Sequence, residues 1–319
     1  MRILIIGGTG MIGHRLWLDL GRRFPDVHAI IHGKKGQLEW TGLYGTGPYN
    51  PDEGDRVMDG VDVTDFRMLY DILAEIRPDV ILNCDGITKR KTDSGNTIPS
   101  LVLNSFLPHR LAEWASDRGA RVFQFSTDCV FSGSPVHGGP VSQGGYYREE
   151  SPPTARDIYG QSKYLGELKE ENCLTLRTSF IGREITGFTE LLEWFLAQEG
   201  QTIKGFRRAL YTGVSTVFLS RVVGDLIEYH PRLSGLYHLS GEVISKYDLL
   251  CLARDAFGLD VEIVPDDDFF CARTLIGSRF REATGIEVPP WGRMMEELAE
   301  EDVFYQAVRR RHASQAIYE

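Results

Sequence analysis

Tyr159 and Lys163 stand four residues apart in Asp157-Ile158-Tyr159-Gly160-Gln161-Ser162-Lys163. On a helix that spacing stacks the two side chains one turn apart on a single face, where the ammonium lowers the phenol's pKa and makes it a usable proton donor. A phenol so tuned suits the reduction of a carbonyl. Taken alone, the pair equally describes an aromatic ring packed on a lysine stem. Upstream, Phe125-Ser126-Thr127-Asp128 ends an apolar run with a hydroxyl and a carboxylate, which supplies further groups for an oxygen that gains charge.

The chain opens with an apolar, β-branched run from Met1 to Ile6, broken by Gly7-Gly8-Thr9-Gly10-Met11-Ile12-Gly13 and followed by Leu16, Trp17 and Leu20 at helical spacing. This predicts strand, glycine turn and helix. Gly7 permits the tight turn, Gly10 a close approach to a pyrophosphate and Gly13 the packing of helix on strand. With Thr9, Met11 and Ile12 they form the expected dinucleotide loop, the phosphates facing the helix N-terminus. The second strand, Val27 to Ile31, lacks the terminal carboxylate that would hold the ribose of NAD. His32-Gly33-Lys34-Lys35 follows instead, so His32 and Lys34 favour the 2′-phosphate, and NADP(H) over NAD(H); a solvated basic turn is the plainer alternative.

These groups need strands to deliver them. Residues 36–60 read as an insertion or surface loop, and residues 57–63 as a short third strand ending in Asp62-Val63. Asp62 suits either an adenine amine or the start of the helix Phe66 to Glu75, for which Thr64 is the expected cap. Residues 78–83 resume a buried strand and place Cys84, Asp85 and Gly86 at the carboxyl edge beside the glycine turn, where open α/β sheets bind ligands. Asp85 would repel a pyrophosphate there unless it turns away or holds a cation. Lys89, Arg90 and Lys91 form a basic patch suited to a nucleotide diphosphate or to solvent. An amphipathic helix from Leu101 to Asp117 carries Asn104; the strand Arg121 to Ser126 delivers Thr127 and Asp128. The loop 132–150 passes over the site, the Tyr159 helix runs from near Ala155 to about Glu171, and Leu174 to Thr178 is another strand.

This alternation predicts an α/β fold with a doubly wound parallel sheet over residues 1–180 and a smaller mixed C-terminal substrate domain over 181–319, from which one helix near 217–229 could return to the sheet. The 319 residues carry 35 Lys and Arg against 45 Asp and Glu, a net charge of −10 that offers no field for nucleic acid. Five scattered cysteines without a Cys-x-x-Cys pair predict neither a disulfide framework nor a metal site, and fit the cytoplasm. The first apolar run is too short for a signal peptide, and no segment has the length of a membrane span.

With these motifs in order, the chain resembles an extended short-chain dehydrogenase/reductase of Rossmann type. More narrowly, Phe125 to Gly133, Tyr159 to Glu167 and Leu176-Arg177-Thr178-Ser179 look like the dTDP-4-dehydrorhamnose reductase family. The likeness covers about the first 180 residues well and thins afterwards, where residues 211–216 occupy the place of a substrate-facing loop. It implies NADP-dependent reduction of a nucleotide-linked 4-keto-6-deoxyhexose for surface polysaccharide synthesis. Tyr159 would protonate the C4 oxygen as hydride reaches C4, Lys163 would hold the nicotinamide ribose, and Thr127 would bond the developing alkoxide. Lys89, Arg90, Asp128, Cys129, Arg207 and Tyr211 would meet the nucleotide sugar, and a homodimer is compatible with the family. Related dehydratases carry Thr-Asp-Glu; Cys129 in place of the glutamate speaks for simple redox chemistry, and is itself better read as a packed residue than a nucleophile. A non-catalytic NADP-binding regulatory subunit and a nucleotide-sugar epimerase remain alternatives on the same fold.

Overall fold

Alternate residues of the first strand face opposite layers of apolar side chains, which is what a strand covered by helices on both sides requires. In the computed structural model, which describes residues 1–34, 56–89, 97–133 and 146–315 with side chains through Arg311, β1 (Ile3–Ile6) is buried throughout. Ile3 and Ile5 join one core, and Leu4 and Ile6 the other. The glycine turn leads into α1 (Met11–Arg23), then β2 (Val27–Ile30), β3 (Val57–Met58), α2 (Phe66–Ile76) and β4 (Val80–Asn83). Next come α3 (Thr97–Leu101), a π-helical turn (Val102–Phe106) and α4 (Leu107–Ser116) as one run, then β5 (Arg121–Thr127), β6 (Tyr146–Tyr147), α5 (Ile158–Leu165) and β7 (Cys173–Thr178).

The remaining elements are β8 (Phe180–Ile181), α6 (Leu191–Leu196), β9 (Thr202–Phe206), β10 (Ala209–Tyr211), β11 (Val214–Ser215), α7 (Thr216–Tyr229), β12 (Gly235–His238), β13 (Ile244–Ser245) and α8 (Lys246–Phe257). The chain then forms β14 (Glu262–Asp266), β15 (Cys271–Ala272), β16 (Thr274–Leu275), α9 (Ser278–Thr284), α10 (Trp291–Glu300) and α11 (Asp302–Gln315). The principal sheet has the order β3-β2-β1-β4-β5-β7-β12, with parallel pairing throughout. The fold is thus α/β and Rossmann-like, and its strand order reverses between β1 and β4, where a crevice opens beyond the carboxyl ends. Among the described residues no helix is long and apolar enough to cross a membrane.

Several sequence expectations change. The helix near 217–229 returns as the sequence allowed, with α7 against α1, but the sheet also takes an unforeseen last strand from β12, so residues 216–238 pack with the sheet although they follow residue 180. Their apolar side chains, Val222, Val223 and Leu226 among them, share the core of Leu16 and Trp17. The Tyr159 helix is only Ile158–Leu165, because Gly166 ends it by lying against the Asn104 backbone: a Cβ there would be 1.9 Å from the Asn104 oxygen. Asp65, not Thr64, caps α2 by accepting from the Arg67 and Met68 amides at 3.1 Å, while Thr64 bonds back to Asp62. The helical run begins at Thr97, before the expected Leu101, and includes the π turn around Asn104. Most of the 36–60 insertion, Lys35, Arg90, Lys91 and much of the loop after Ser132 lie outside the described residues.

Candidate active site

The carboxyl edge of the sheet opens into a cavity of about 640 Å³ that reaches from the glycine turn to the short strands of the C-terminal half. Gly7, Thr9, Gly10, Met11 and Ile12 line one end. Gly7 adopts φ +80° and sits against β4, where a Cβ would come within 2.8 Å of the Asp85 nitrogen. Gly13 does not line the cavity; a Cβ there would lie 2.0 Å from the Gly7 oxygen, so its role is to let α1 approach the turn. The N-cap of α1 is Gly10, which has no capping side chain, and no acidic residue follows in the first turn. Helix amides left without a side-chain cap fit a diphosphate.

Cys84, Asp85 and Gly86 form the adjoining wall. The Asp85 carboxylate folds back to accept from the Gly86 amide at 2.8 Å, one local tie for a charge beside an anion site. His32 also lines the cavity, together with Val63. Lys34 is exposed and is not among the lining residues; its ammonium lies where a Cβ on Gly60 would come within 2.4 Å. Asp62 does not line the cavity either: its carboxylate accepts from the Thr64 amide at 2.9 Å and hydroxyl at 2.7 Å, which holds it below the usual carboxylate range.

Asn104 stands behind the wall, fully buried on the π turn. Its Oδ1 accepts from the Ile87 amide at 3.0 Å, while Nδ2 donates to the Ile87 oxygen and the Ser162 hydroxyl, each at 3.1 Å. It thereby ties the 86–88 loop to the helix that carries Tyr159 and Lys163. Gly86 makes room for it, since a Cβ would meet Asn104 Oδ1 at 2.7 Å.

Thr127, Tyr159 and Lys163 all line the same cavity. Thr127 ends β5, where its Oγ1 accepts from the Cys129 amide at 3.1 Å and donates to Asp128 at 3.3 Å, beside the Tyr159 phenol. Asp157 caps α5 by accepting from the Gly160 amide at 2.9 Å, and its other oxygen receives Lys89 at 2.9 Å. The enclosing walls raise the Tyr159 pKa above its ordinary value; the neighbouring Cys129 and Asp128 add to this and the Thr127 contact opposes it. The sequence expectation that Lys163 lowers this phenol therefore fails. The Lys163 ammonium instead faces Glu167, Cys84 and Asp85, 3.8 Å from where a Cβ on Gly86 would stand. Burial pulls its own pKa down to about 8, against the pull of those acidic neighbours.

Glu167 forms a buried cluster below this group. It accepts from Arg177 Nε at 2.8 Å, from Arg177 Nη2 at 2.6 Å and from the Ser126 hydroxyl at 2.6 Å. Arg177 Nη1 donates to His238 Nε2 at 2.9 Å, which links β5, β7 and β12 behind the site.

Lys89, Asp128, Cys129 and Tyr211 line the cavity as well. Burial raises Asp128 and pushes the Cys129 thiol up to about 12. Arg207 is a correction: it is exposed on the turn between β9 and β10, donates to Asp267 at 2.8 Å and does not line the cavity. Two cations missed by the sequence reading do, Lys246 at the start of α8 and Arg273 between β15 and β16. Arg273 donates to the Phe131 oxygen at 2.9 Å and to Cys129 Sγ at 3.3 Å. No sequence spacing could bring residues 129 and 273 together; the Ser245-x-x-Asp248 capping box did mark the helix that presents Lys246. Among the described residues no cluster of three His, Cys, Asp or Glu side chains is arranged to hold a metal ion.

The profile of the family described as RmlD substrate binding domain matches residues 1–273. A curated dTDP-4-dehydrorhamnose reductase of Streptomyces griseus is 31% identical over 168 residues, 52% of this chain and 43% of that protein, so the match spans less than half of that relative. The enzyme of the same name from Salmonella typhimurium is 26% identical over 267 residues, covering 80% of this chain and 78% of the relative. Methionine adenosyltransferase 2 subunit beta of Xenopus tropicalis is 26% identical over 275 residues, 81% of this chain and 72% of the relative. The crystal structure of the Bacillus anthracis dTDP-4-dehydrorhamnose reductase in complex with NADP shares the fold, with a TM-score of 0.73 and 21% identity over 94% of this chain and 99% of that one.

Proposed function

The chain belongs to the family described as RmlD substrate binding domain, and from that premise we propose that it is an oxidoreductase that reduces a nucleotide-linked 4-keto-6-deoxyhexose with a nicotinamide dinucleotide, in the manner of dTDP-4-dehydrorhamnose reductase. The observation that carries this is one cavity lined both by the glycine turn and by Thr127, Tyr159 and Lys163. The dinucleotide supplies hydride. The chain's own part is to bind it along Gly7 to Ile12 and Cys84 to Gly86, with Lys163 at the ribose, and to place the sugar carbonyl against Tyr159 and Thr127. Oxygen becomes more negative as C4 is reduced, so two hydroxyl groups already aimed at it stabilise the transition state more than the ground state. Tyr159, held protonated by burial, gives its proton to that oxygen.

Asp128, Cys129, Tyr211 and Lys89 would meet the sugar nucleotide, while Arg207, paired with Asp267 outside the cavity, has no part in this reading. A thiol held near 12 is a poor base for dehydration, which supports redox chemistry without loss of water. His32 beside the cavity, and the absence of a carboxylate at the end of β2, support NADP(H) over NAD(H). The proposed division gives the dinucleotide to the sheet, with residues 216–238 as part of it, and the sugar nucleotide to the rest of the C-terminal half. Five free cysteines fit a reducing compartment and support work in the cytoplasm on precursors of a surface polysaccharide. Exposed Ile98, Phe106 and Leu165 on neighbouring helices support a homodimer.

A second reading, a regulatory subunit that binds the dinucleotide without turnover, is favoured by the relative named as a subunit of methionine adenosyltransferase. Purified chain with NADPH and a panel of dTDP-, UDP- and GDP-linked 4-keto-6-deoxyhexoses separates the two. Loss of the reduced-nicotinamide absorbance with at least one sugar, faster with NADPH than NADH, is the expected result; tight NADPH binding without turnover on any of them would favour the subunit.

A further inference from the structure

His14 is a fully buried imidazole on the first turns of α1 that the proposed chemistry does not use. Its Nδ1 lies 2.9 Å from the Gly10 oxygen, and its Nε2 lies 2.9 Å from the hydroxyl of Tyr305 on α11. A carbonyl can only accept, so Nδ1 carries the proton and Nε2 accepts from Tyr305. Arg15 lies in the field of Tyr305 and is itself held by Asp19 at 2.8 Å and by Glu301 at the end of α10. The hydrogen bonds therefore run in one direction, from Tyr305 through His14 to Gly10, the residue at which the dinucleotide loop becomes a helix.

The same Gly10 oxygen also receives the His14 backbone amide at 3.0 Å, so it is fixed twice from one residue. With that carbonyl held back toward the helix, the amides of Met11 and Ile12 keep the orientation in which the loop lines the cavity. The last helix is anchored well enough to transmit this. Asp302 accepts from buried Arg183, and Arg309 donates to Glu193, which also receives Arg183 at 2.8 Å. The Tyr305 ring stands edge-on to His14 at 5.8 Å and is 2% exposed.

We infer that Tyr305, acting through His14, is a positioning residue for the dinucleotide loop, so that the C-terminal helix sets cofactor affinity from outside the cavity. The inference rests on the reading of the glycine turn as a dinucleotide site. Its test is Tyr305→Phe, which keeps the ring and removes only the hydroxyl that His14 accepts from. KM for NADPH should rise about fivefold, the scale of one buried hydrogen bond, while KM for the sugar nucleotide and kcat at saturating NADPH stay within about twofold. Equal values for variant and parent, or a rise of both KM values together, would overturn the inference, the second outcome marking a general structural effect. A second measurement needs no variant: hydrogen exchange on the parent chain should slow in peptides covering residues 7–16 and 300–311 together when NADPH is added. Protection of the first peptide alone would also overturn it. Failure of the parent chain to bind NADPH at all would instead strike the dinucleotide reading itself.

Discussion

Lys163 must serve the proposed reaction as a cation, yet its surroundings bring its pKa down to about 8 by burial. It is charged below that value and neutral above it. Activity that depends on the ammonium is therefore present at neutral pH and lost as pH rises through about 8. A kcat/KM profile for the sugar nucleotide should fall on its alkaline side with a midpoint near that value, well below the ordinary lysine range. A profile level to about pH 10 would contradict the role. The Tyr159-x-x-x-Lys163 spacing identified two groups that the structure brings into one cavity, but it misjudged their relation. Helical spacing fixes which face two residues share; it does not fix where the tip of a four-carbon side chain comes to rest. Here the ammonium turns to Glu167 and the Cys84-Asp85 wall, so the phenol feels burial before charge. Arg207 was misplaced for a related reason: its partner Asp267 comes from a strand-pair across the surface that no local pattern announces.

At the scale of elements, β5, β7 and α5 must hold Thr127 and Tyr159 in register, and Glu167 with Arg177 is the device between them. Both side chains are 2% exposed. Removing the charge of one leaves the other buried and uncompensated, which costs about 3–5 kcal/mol. Glu167→Gln should lower unfolding free energy by that amount in urea, and a loss below about 1 kcal/mol would show that the pair is not a support of the site. The strand, glycine turn and helix at the N-terminus were legible because the apolar run, the glycine spacing and the helical period agree locally. The C-terminal half was not, since strands such as β15 and β16 have two residues each, too few to display a period. That is why Arg273 escaped notice. The short Tyr159 helix was overestimated because its stop is the close contact of Gly166 with the π turn, a tertiary event rather than a local signal.

For the whole molecule, the division at residue 180 follows the end of the alternating pattern, whereas the sheet is completed only by β12. The interruption has a physical result: the chain leaves the sheet after β7, lines the cavity with β8, α6 and β10, and returns through α7 and β12. One cavity is thereby walled by both halves, with the glycine turn and Tyr159 from the first and Tyr211, Lys246 and Arg273 from the second. Such an arrangement suits two substrates that must meet, a dinucleotide on the sheet and a sugar nucleotide across from it.

Transfer of label tests that meeting most directly. With NADPH carrying deuterium at the transferring position of its nicotinamide, the account predicts a 6-deoxyhexose product with deuterium at C4, formed by the parent chain and suppressed at least about a hundredfold in Tyr159→Phe, the scale of a positioned general acid. Product that carries no deuterium at C4, or equal turnover by Tyr159→Phe, would contradict it.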